Sequence, residues 1–263
     1  MDETTNSPPV NFITVLGTRI FRTTYDLVTL EVHSWVLAGE ARYICIANVH
    51  VLMEAHDSAA FKKVINQADL VTPDGMPLVW MLRLKGVPNQ SRVYGPTLML
   101  HVLEMAAKDR IPVGFYGGNT DVLDMLVNQM KSKYPDLNIA YSYSPPFRTL
   151  SNEEDDEVCR QIRDNGVRIL FVGLGCPKQE IWMAGHKGKI PAVMLGVGAA
   201  FDFLAGNIPQ APTWMQAIGL EWLFRLLHEP RRLARRYLYN NPRFVLLALA
   251  DLLGILDKGK KEE

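Results

Sequence analysis

The sequence predicts an α/β fold: a Rossmann-like, mostly parallel sheet with helices on both faces, followed by a C-terminal α-helical appendage. Between positions 40 and 200, short β-branched runs alternate with longer helical patterns, which is typical of parallel strands joined by helices. Beyond Gly206 the strand patterns stop, and three helical stretches follow, separated by Pro230 and Pro242. We therefore expect a core over residues 1–206 and an appendage over residues 207–263.

The individual elements follow from the same patterns. Gly17 separates two short runs, 12–16 and 19–23, which predicts an N-terminal hairpin. The six core strands are expected at 43–47, 70–72, 113–116, 138–142, 168–173 and 192–196. The helices are expected at 25–38, 58–67, 77–85, 97–108, 120–132, 152–165, 178–186, 213–227, 231–239 and 242–256. Ser58, Asn119 and Ser151 supply helix caps, the last with Glu154 in a capping box.

The composition indicates a folded protein of a reducing compartment. The chain has 263 residues, 28 Lys and Arg against 28 Asp and Glu, and 48% hydrophobic residues, which excludes disordered and collagen-like chains. Its three cysteines lack CxxC spacing, which argues against a disulfide framework or a cysteine-rich zinc site. The N-terminal residues lack a signal-peptide pattern, and the apolar stretch from Phe244 is interrupted by Asp251 and is too short to span a bilayer. We therefore expect neither export nor a transmembrane helix.

Polar side chains follow the first two core strands, at the sheet edge where ligands bind in open α/β folds. Asn48 follows the run YICIA, and it can either cap the next helix or contact a ligand. Asp74 lies in a Pro-Asp-Gly-Met-Pro turn before a helix, where it can serve as a cap or as a general base. Asp74 is the best general-base candidate in the chain.

Glycine-rich turns follow three later strands, and their backbone N–H groups can face a diphosphate. The glycines are Gly117, Gly118, Gly173, Gly175, Gly196 and Gly198. Their spacing matches neither GxGxxG nor a P-loop, so ordinary tight turns remain the alternative. Gln179 could direct its amide at a ligand, whereas Lys178 and Glu180 are expected to be exposed. Asp202 could bind a ribose hydroxyl, cap a helix or pair with an arginine.

Charge is concentrated in the C-terminal part. The segment 225–243 holds six arginines with Glu229 as its only acid, so it can bind phosphate, an anionic membrane or nucleic acid, or form a solvated helix face. The histidines show neither HExxH nor paired spacing, and there is no DxD pair for a nucleotide-sugar metal. A metal-free reaction is favoured.

Several strings, in order, carry a family resemblance: TPDGMPLVW, RVYGPTLM, FYGGN, FVGLGCPKQEIWM and GVGAAFDFLAGNIPQAPTWMQAIGLEWLFRLLHEPRRLARRY. They resemble the WecG/TagA/CpsF glycosyltransferases, glycosyltransferase family 26, from about Phe12 to about Phe244. The resemblance implies inverting, metal-independent transfer of N-acetylmannosamine or a related sugar from a UDP donor, without a further cofactor. The implied acceptor is an undecaprenyl-diphosphate-linked saccharide of cell-envelope polysaccharide synthesis, at the inner face of the cytoplasmic membrane. We also expect a peripheral membrane protein that does not bind nucleic acid and that could form a homo-oligomer through the apolar face of its appendage.

The resemblance also implies residue roles. Asp74 falls on the proposed catalytic base of the family, and Asn48 and Gln179 fall near the donor and acceptor sugars. Arg92 of the RVYGPTLM string and the turn glycines are expected to bind substrate. The appendage is expected to bring cations to the two diphosphates: Arg225, Arg232 and Arg235, with Arg231 and Arg236 as possible substitutes.

Three rival functions are open to test. A nucleotide-sugar-binding regulatory module would keep the fold without turnover, although the retained Asp74 argues against it. A Rossmann-type oxidoreductase would bind NAD(P), but GxGxxG is absent. A nucleic-acid binder would use the arginines, but no recognition motif accompanies them.

Overall fold

The computed structural model describes residues 11–255, and its core is a six-stranded parallel sheet beside a two-stranded antiparallel hairpin. The hairpin consists of β1 (Phe12–Val15) and β2 (Thr18–Phe21). The sheet strands are β3 (Arg42–Ala47), β4 (Leu70–Pro73), β5 (Val113–Gly117), β6 (Ile139–Tyr143), β7 (Ile169–Gly173) and β8 (Val193–Gly196). Their order across the sheet is β4-β3-β8-β7-β5-β6. The predicted α/β class, hairpin and six strands are confirmed.

The helices of the core flank this sheet. They are α1 (Tyr25–Ala38), α2 (Val49–Asp57), α3 (Ala59–Asn66), α4 (Met76–Leu84), α5 (Gly95–Lys108), α6 (Thr120–Lys133), α7 (Asn152–Asp164), α8 (Lys178–His186) and α9 (Ala200–Leu204). Ser58, Asn119 and Ser151 cap α3, α6 and α7 as predicted, the last in a full capping box with Glu154. The sequence patterns did not predict α2. Capping of a following helix was one of the two roles expected for Asn48, and Asn48 does cap α2.

Apart from the edge strand β6, which is partly exposed, the core strands are largely apolar runs because both faces of the sheet are covered. Every residue of β5 is buried, as is every residue of β4 and β8. Strands β4, β3, β8 and β7 lie side by side in parallel, so their carboxyl ends meet at one edge. Strands β3 and β4 lie on one side of β8, and β7, β5 and β6 lie on the other, so the strand order reverses near β3 and β8. In open α/β sheets, a crevice that binds ligands forms at such a reversal.

The C-terminal segment is helical, with α10 (Thr213–Ala217), α11 (Glu221–His228) and α12 (Pro230–Leu252). The prediction of a helix break at Pro242 is wrong, because α12 runs through this proline. Pro242 is exposed, while the following Phe244 and Ala248 are buried in the core, and this packing offsets the hydrogen bond that proline cannot donate. The boundary between a core and an appendage at residue 206 stays a prediction.

Helix α12 is also tied to the start of the chain. The backbone N–H of Leu16 donates to Asp251 Oδ2 at 3.2 Å, and Lys85 Nζ lies 2.9 Å from the same oxygen. Across residues 11–255, no helix combines the length and the apolar character needed to cross a bilayer.

Candidate active site

A cavity of about 870 Å³ lies at the carboxyl ends of β4, β3 and β8, covered by α11 and α12. Its polar end contains Asn48, Asp74, Arg92, Gln179 and Glu221. The other end is apolar and lies between α4 and α12, where it is lined by Trp80, Leu84, Val245, Leu249 and Leu252. One space therefore joins ionisable groups to a hydrophobic wall.

Asp74 follows β4 directly and is held by Arg92. Arg92 Nη2 donates to Asp74 Oδ1 at 2.8 Å, Nε donates to the same oxygen at 3.1 Å, and Nε also contacts the Asp74 carbonyl. Both of these side-chain bonds end on Oδ1, which leaves Oδ2 to accept a proton. The Asp74 side chain is 15% exposed, so it can be reached from the cavity.

Arg92 is shared with a second carboxylate. Its Nη2 lies 2.7 Å from Oε2 of Glu221, the first residue of α11, and its guanidinium stacks over the Tyr94 ring at 4.1 Å. Burial raises the pKa of Asp74 to about 6, with Arg92 lowering it and Glu221 raising it. A carboxylate with this pKa is ionised at neutral pH and still has appreciable affinity for a proton, as a general base requires.

Asn48 and Gln179 both line the cavity, and both side chains also organise the backbone. Asn48 Oδ1 caps α2 by accepting from the N–H groups of His50 and Val51, so its amide nitrogen is the part left for a ligand. Gln179 Oε1 accepts from the Gly175 N–H at 3.1 Å, and its Nε2 donates to Glu180 Oε1 at 2.9 Å.

The predicted glycines fall into two groups. Gly175, Gly196 and Gly198 line the cavity. Gly117, Gly118 and Gly173 instead pack tightly beneath it: the Gly118 N–H donates to the Gly173 carbonyl, and a Cβ on Gly117 would lie 2.6 Å from the Gly173 backbone. Close packing accounts for glycine at these three positions, in agreement with the alternative that they form ordinary tight turns.

Three arginines of the C-terminal helices reach the cavity: Arg225, Arg232 and Arg236. Arg235 is exposed and lies outside the lining, as does Arg231, so the structure favours Arg236 over Arg235 among the predicted cations. The Nε atoms of Arg225 and Arg236 are buried and have no hydrogen-bond partner among residues 11–255. Buried guanidinium donors of this kind are suited to an anion.

Two further ionisable groups lie close to the cavity. The expectation that Glu180 is exposed is wrong: this side of α8 packs on the sheet, and burial raises the pKa of Glu180 to about 7. Lys178 is exposed as expected.

Burial and the charge of Arg236 lower the pKa of His50 to about 4, so His50 is neutral in the site. Asp202 pairs with Asn207 rather than with an arginine.

Glu221 is the site residue that sequence reasoning missed. It lies in the GLEW string between two apolar residues, Leu220 and Trp222, at the start of an amphipathic helix. An acid in such a position is a signal for a buried partner, but the partner, Arg92, is distant in sequence.

One cluster of possible metal ligands lies outside the cavity lining. The ligand atoms of Asp155, Cys159 and His186 lie within 4.8 Å of one another. His186 Nε2 is 2.8 Å from Asp155 Oδ2, and Nδ1 is 2.6 Å from the Trp182 carbonyl. Both ring nitrogens of His186 are thus within hydrogen-bond distance of protein oxygens, and these contacts account for the arrangement.

Comparison with known proteins identifies related sequences. The model of the Glycosyl transferase WecG/TagA/CpsF family matches residues 13–257. A protein of Bacillus spizizenii named N-acetylglucosaminyldiphosphoundecaprenol N-acetyl-beta-D-mannosaminyltransferase is 31% identical over 233 residues, covering 85% of this chain and 88% of the relative. A Bacillus subtilis protein of the same name is 32% identical over 222 residues, covering 83% of this chain and 81% of the relative.

Proposed function

Because the chain belongs to the WecG/TagA/CpsF glycosyl transferase family, we propose that it transfers N-acetylmannosamine or a related sugar from a UDP donor to an undecaprenyl-diphosphate-linked saccharide. The names of the Bacillus relatives supply the sugar and the class of acceptor. The observation that carries the proposal is the single cavity in which the Asp74 carboxylate, buried arginines and an apolar wall meet. Such an acceptor has a sugar, a diphosphate and a hydrocarbon tail.

Asp74 is the general base of the proposed reaction. Its Oδ2 takes the proton from the acceptor hydroxyl, and the hydroxyl oxygen forms a bond to the anomeric carbon of the donor sugar. The bond from that carbon to the diphosphate oxygen breaks at the same time, and UDP leaves from the opposite face. The sugar configuration is therefore inverted.

Arg225 and Arg236 take up the charge that develops on the leaving diphosphate. Both residues line the cavity, and their buried Nε atoms have no hydrogen-bond partner among residues 11–255. Arg232, which pairs with Glu229, adds a third guanidinium to the lining. A site that supplies preorganised cations in a buried setting does not need a divalent ion for this step. Metal independence is accordingly part of the proposal.

The appendage, residues 207–263, is proposed to hold the protein on the inner face of the cytoplasmic membrane. The later part of α12 exposes Val245, Leu246, Leu249 and Leu252, and its first part exposes Arg231, Arg232 and Arg235. Apolar side chains beside a basic segment are typical of helices that lie in an anionic membrane surface. Without a membrane, the same face can associate with a second copy of the chain.

Calorimetry tests the donor and the metal independence. We expect UDP and UDP-N-acetylmannosamine to bind in the presence of EDTA, and NAD not to bind. Arg225→Gln should weaken UDP binding about tenfold or more, because a buried charge-assisted hydrogen bond is lost. Arg160→Gln, on the exposed side of α7, is the matched control and should bind normally. Binding of NAD alone would contradict the proposal.

Vesicle sedimentation tests the membrane surface. Leu246 is 69% exposed and lies outside the cavity lining, so Leu246→Asp should weaken binding to anionic phospholipid vesicles without changing UDP affinity. The control is Leu37→Asp, since Leu37 is 71% exposed but lies on α1. Equal loss in both variants, or in neither, would remove α12 from the membrane contact.

A further inference from the structure

Glu221 is an ionisable group of the cavity that the proposed reaction does not use. Its Oε2 lies 2.7 Å from Arg92 Nη2, and Asp74 Oδ1 lies 2.8 Å from the same nitrogen. The two carboxylate oxygens are therefore less than ~6 Å apart, a distance at which two charges interact strongly in a partly buried site. Arg92 Nη2 thus pairs both with Asp74, the proposed base, and with Glu221 of the C-terminal helices.

An arginine paired only with Asp74 would work against a general base. A guanidinium at hydrogen-bond distance stabilises the ionised carboxylate and so reduces its affinity for a proton. With Glu221 in place, the positive charge of Arg92 is divided between two carboxylates, and the group of three carries a net negative charge. Asp74 is then held in position by Arg92 without being neutralised by it.

We propose that Glu221 is a positioning residue that keeps Asp74 basic by sharing Arg92 with it, and that it does so only while α11 is docked on the core. The inference rests on the proposed function, because that function makes Asp74 the base. It assigns to the C-terminal helices a part in the proton transfer in addition to the binding of diphosphate.

The surroundings fix this arrangement closely. The Tyr94 ring lies 4.1 Å from the Arg92 guanidinium and restricts its movement. Gln216 of α10 approaches Arg92 Nη1 at 3.5 Å, so a second residue of the same helices faces this side chain. Gly219, between α10 and α11, has a positive φ of 75°, and a Cβ there would lie 2.8 Å from the Trp80 ring of α4. The segment that carries Glu221 is therefore closely seated on the helix that follows Asp74.

The other groups that act on Asp74 do not replace Glu221. Arg225 of α11 lowers the Asp74 pKa, as Arg92 does, whereas Glu221 raises it. Tyr25 of α1 and Tyr94 interact with Asp74, and burial raises the pKa of both phenols, so they are neutral at physiological pH. Among the residues that the structure describes around Asp74, Glu221 is the acid that opposes the two arginines.

The test is the ionisation of Asp74 in Glu221→Gln, made in the full chain. Aspartate-selective ¹³C labelling reports the carboxyl titration by NMR, and Asp74→Asn assigns the resonance. The pH dependence of kcat/KM for sugar transfer and the affinity for UDP are measured in parallel. Glu221→Asp, which keeps the charge, and Glu157→Gln, at an exposed position of α7, are the matched variants.

We expect the Asp74 midpoint and the acid limb of the kcat/KM profile to move down by about one to two pH units in Glu221→Gln. UDP affinity should stay within about twofold of the parent, because positioning through Arg92 does not need donor contact. Glu221→Asp should titrate close to the parent, and Glu157→Gln should match it.

Three results would overturn the inference. An unchanged Asp74 midpoint in folded Glu221→Gln, or an equal shift in Glu221→Asp, removes charge sharing as the cause. A loss of UDP affinity of about tenfold or more makes Glu221 a donor contact. Failure of the proposed function gives a different result. If the parent chain is inactive but its Asp74 midpoint still falls in Glu221→Gln, sugar transfer is contradicted, while the coupling of Glu221 to Asp74 stands.

Discussion

Glu180 provides a test of how the buried side of α8 is organised. Its side chain is fully buried beside Gln179, and its Oε2 has no hydrogen-bond partner among the described residues. Burial raises its pKa from 4.5 to about 7, so the folded protein resists its ionisation. Glu180→Gln keeps the shape and can still accept the hydrogen bond from Gln179 Nε2, but it cannot ionise.

The sign and size of the effect follow from linkage. Because the folded pKa is raised, the stability associated with the neutral carboxyl is fully present below about pH 4.5 and is lost as the pH rises to about 7. The parent therefore loses stability across this window relative to Glu180→Gln, and above it the difference levels off. Between about pH 5 and about pH 8, the free energy of unfolding of the variant should rise by about 2–3 kcal/mol relative to that of the parent.

Urea unfolding followed by circular dichroism across this pH range measures the difference directly. Glu157→Gln is the control, because the Glu157 side chain is 41% exposed and its hydrogen bond with Arg160 lowers its pKa, so the same chemical change there should give no gain over this window. A difference between Glu180→Gln and the parent that does not change with pH would refute the reasoning, because it would mean that Glu180 has the same proton affinity in both states.

Two other predictions concern packing and the seating of α12. Gly173→Ala should lower the free energy of unfolding by about 1–3 kcal/mol, because its Cβ would lie 2.6 Å from the Phe201 ring. Gly185→Ala, in open space on α8, is the control and should be neutral or stabilising by up to ~1 kcal/mol. A smaller loss at Gly173 than at Gly185 in urea unfolding would contradict this. Asp251→Asn removes the charge that pairs with Lys85 and should cost about 2 kcal/mol in the same assay; an unchanged midpoint would show that this contact does not hold α12.

Most of the sheet could be predicted because its strands, apart from the partly exposed β6, are buried on both faces and so form largely apolar runs. The run before Asn48 and the run before Asp74 each end at a polar residue, and these ends meet at one edge of the sheet. The position of Asp74 at the ligand-binding edge of the sheet therefore followed from its place directly after a core strand. Its local role as base stays a prediction that the experiments above address.

What the sequence did not reveal depends on contacts between distant segments. Glu180 looked like a surface residue because acids on helices usually are, and only the packing of α8 on the sheet buries it. Pro242 looked like a helix end, but the docking of Phe244 against the core holds α12 together past it. Glu221 acquires its role from Arg92, which no local pattern connects to it.

Asp74 is proposed as the base for transfer of a sugar to a lipid-linked acceptor, and a single reaction provides the sharpest test of this role. Purified parent and Asp74→Asn proteins are incubated with UDP-N-acetylmannosamine and a polyprenyl-diphosphate-linked N-acetylglucosamine acceptor in EDTA, and the disaccharide lipid is measured by mass spectrometry. We expect product from the parent and a rate at least about 10²-fold lower from Asp74→Asn, with UDP affinity retained. Equal rates in the two proteins would contradict the claim.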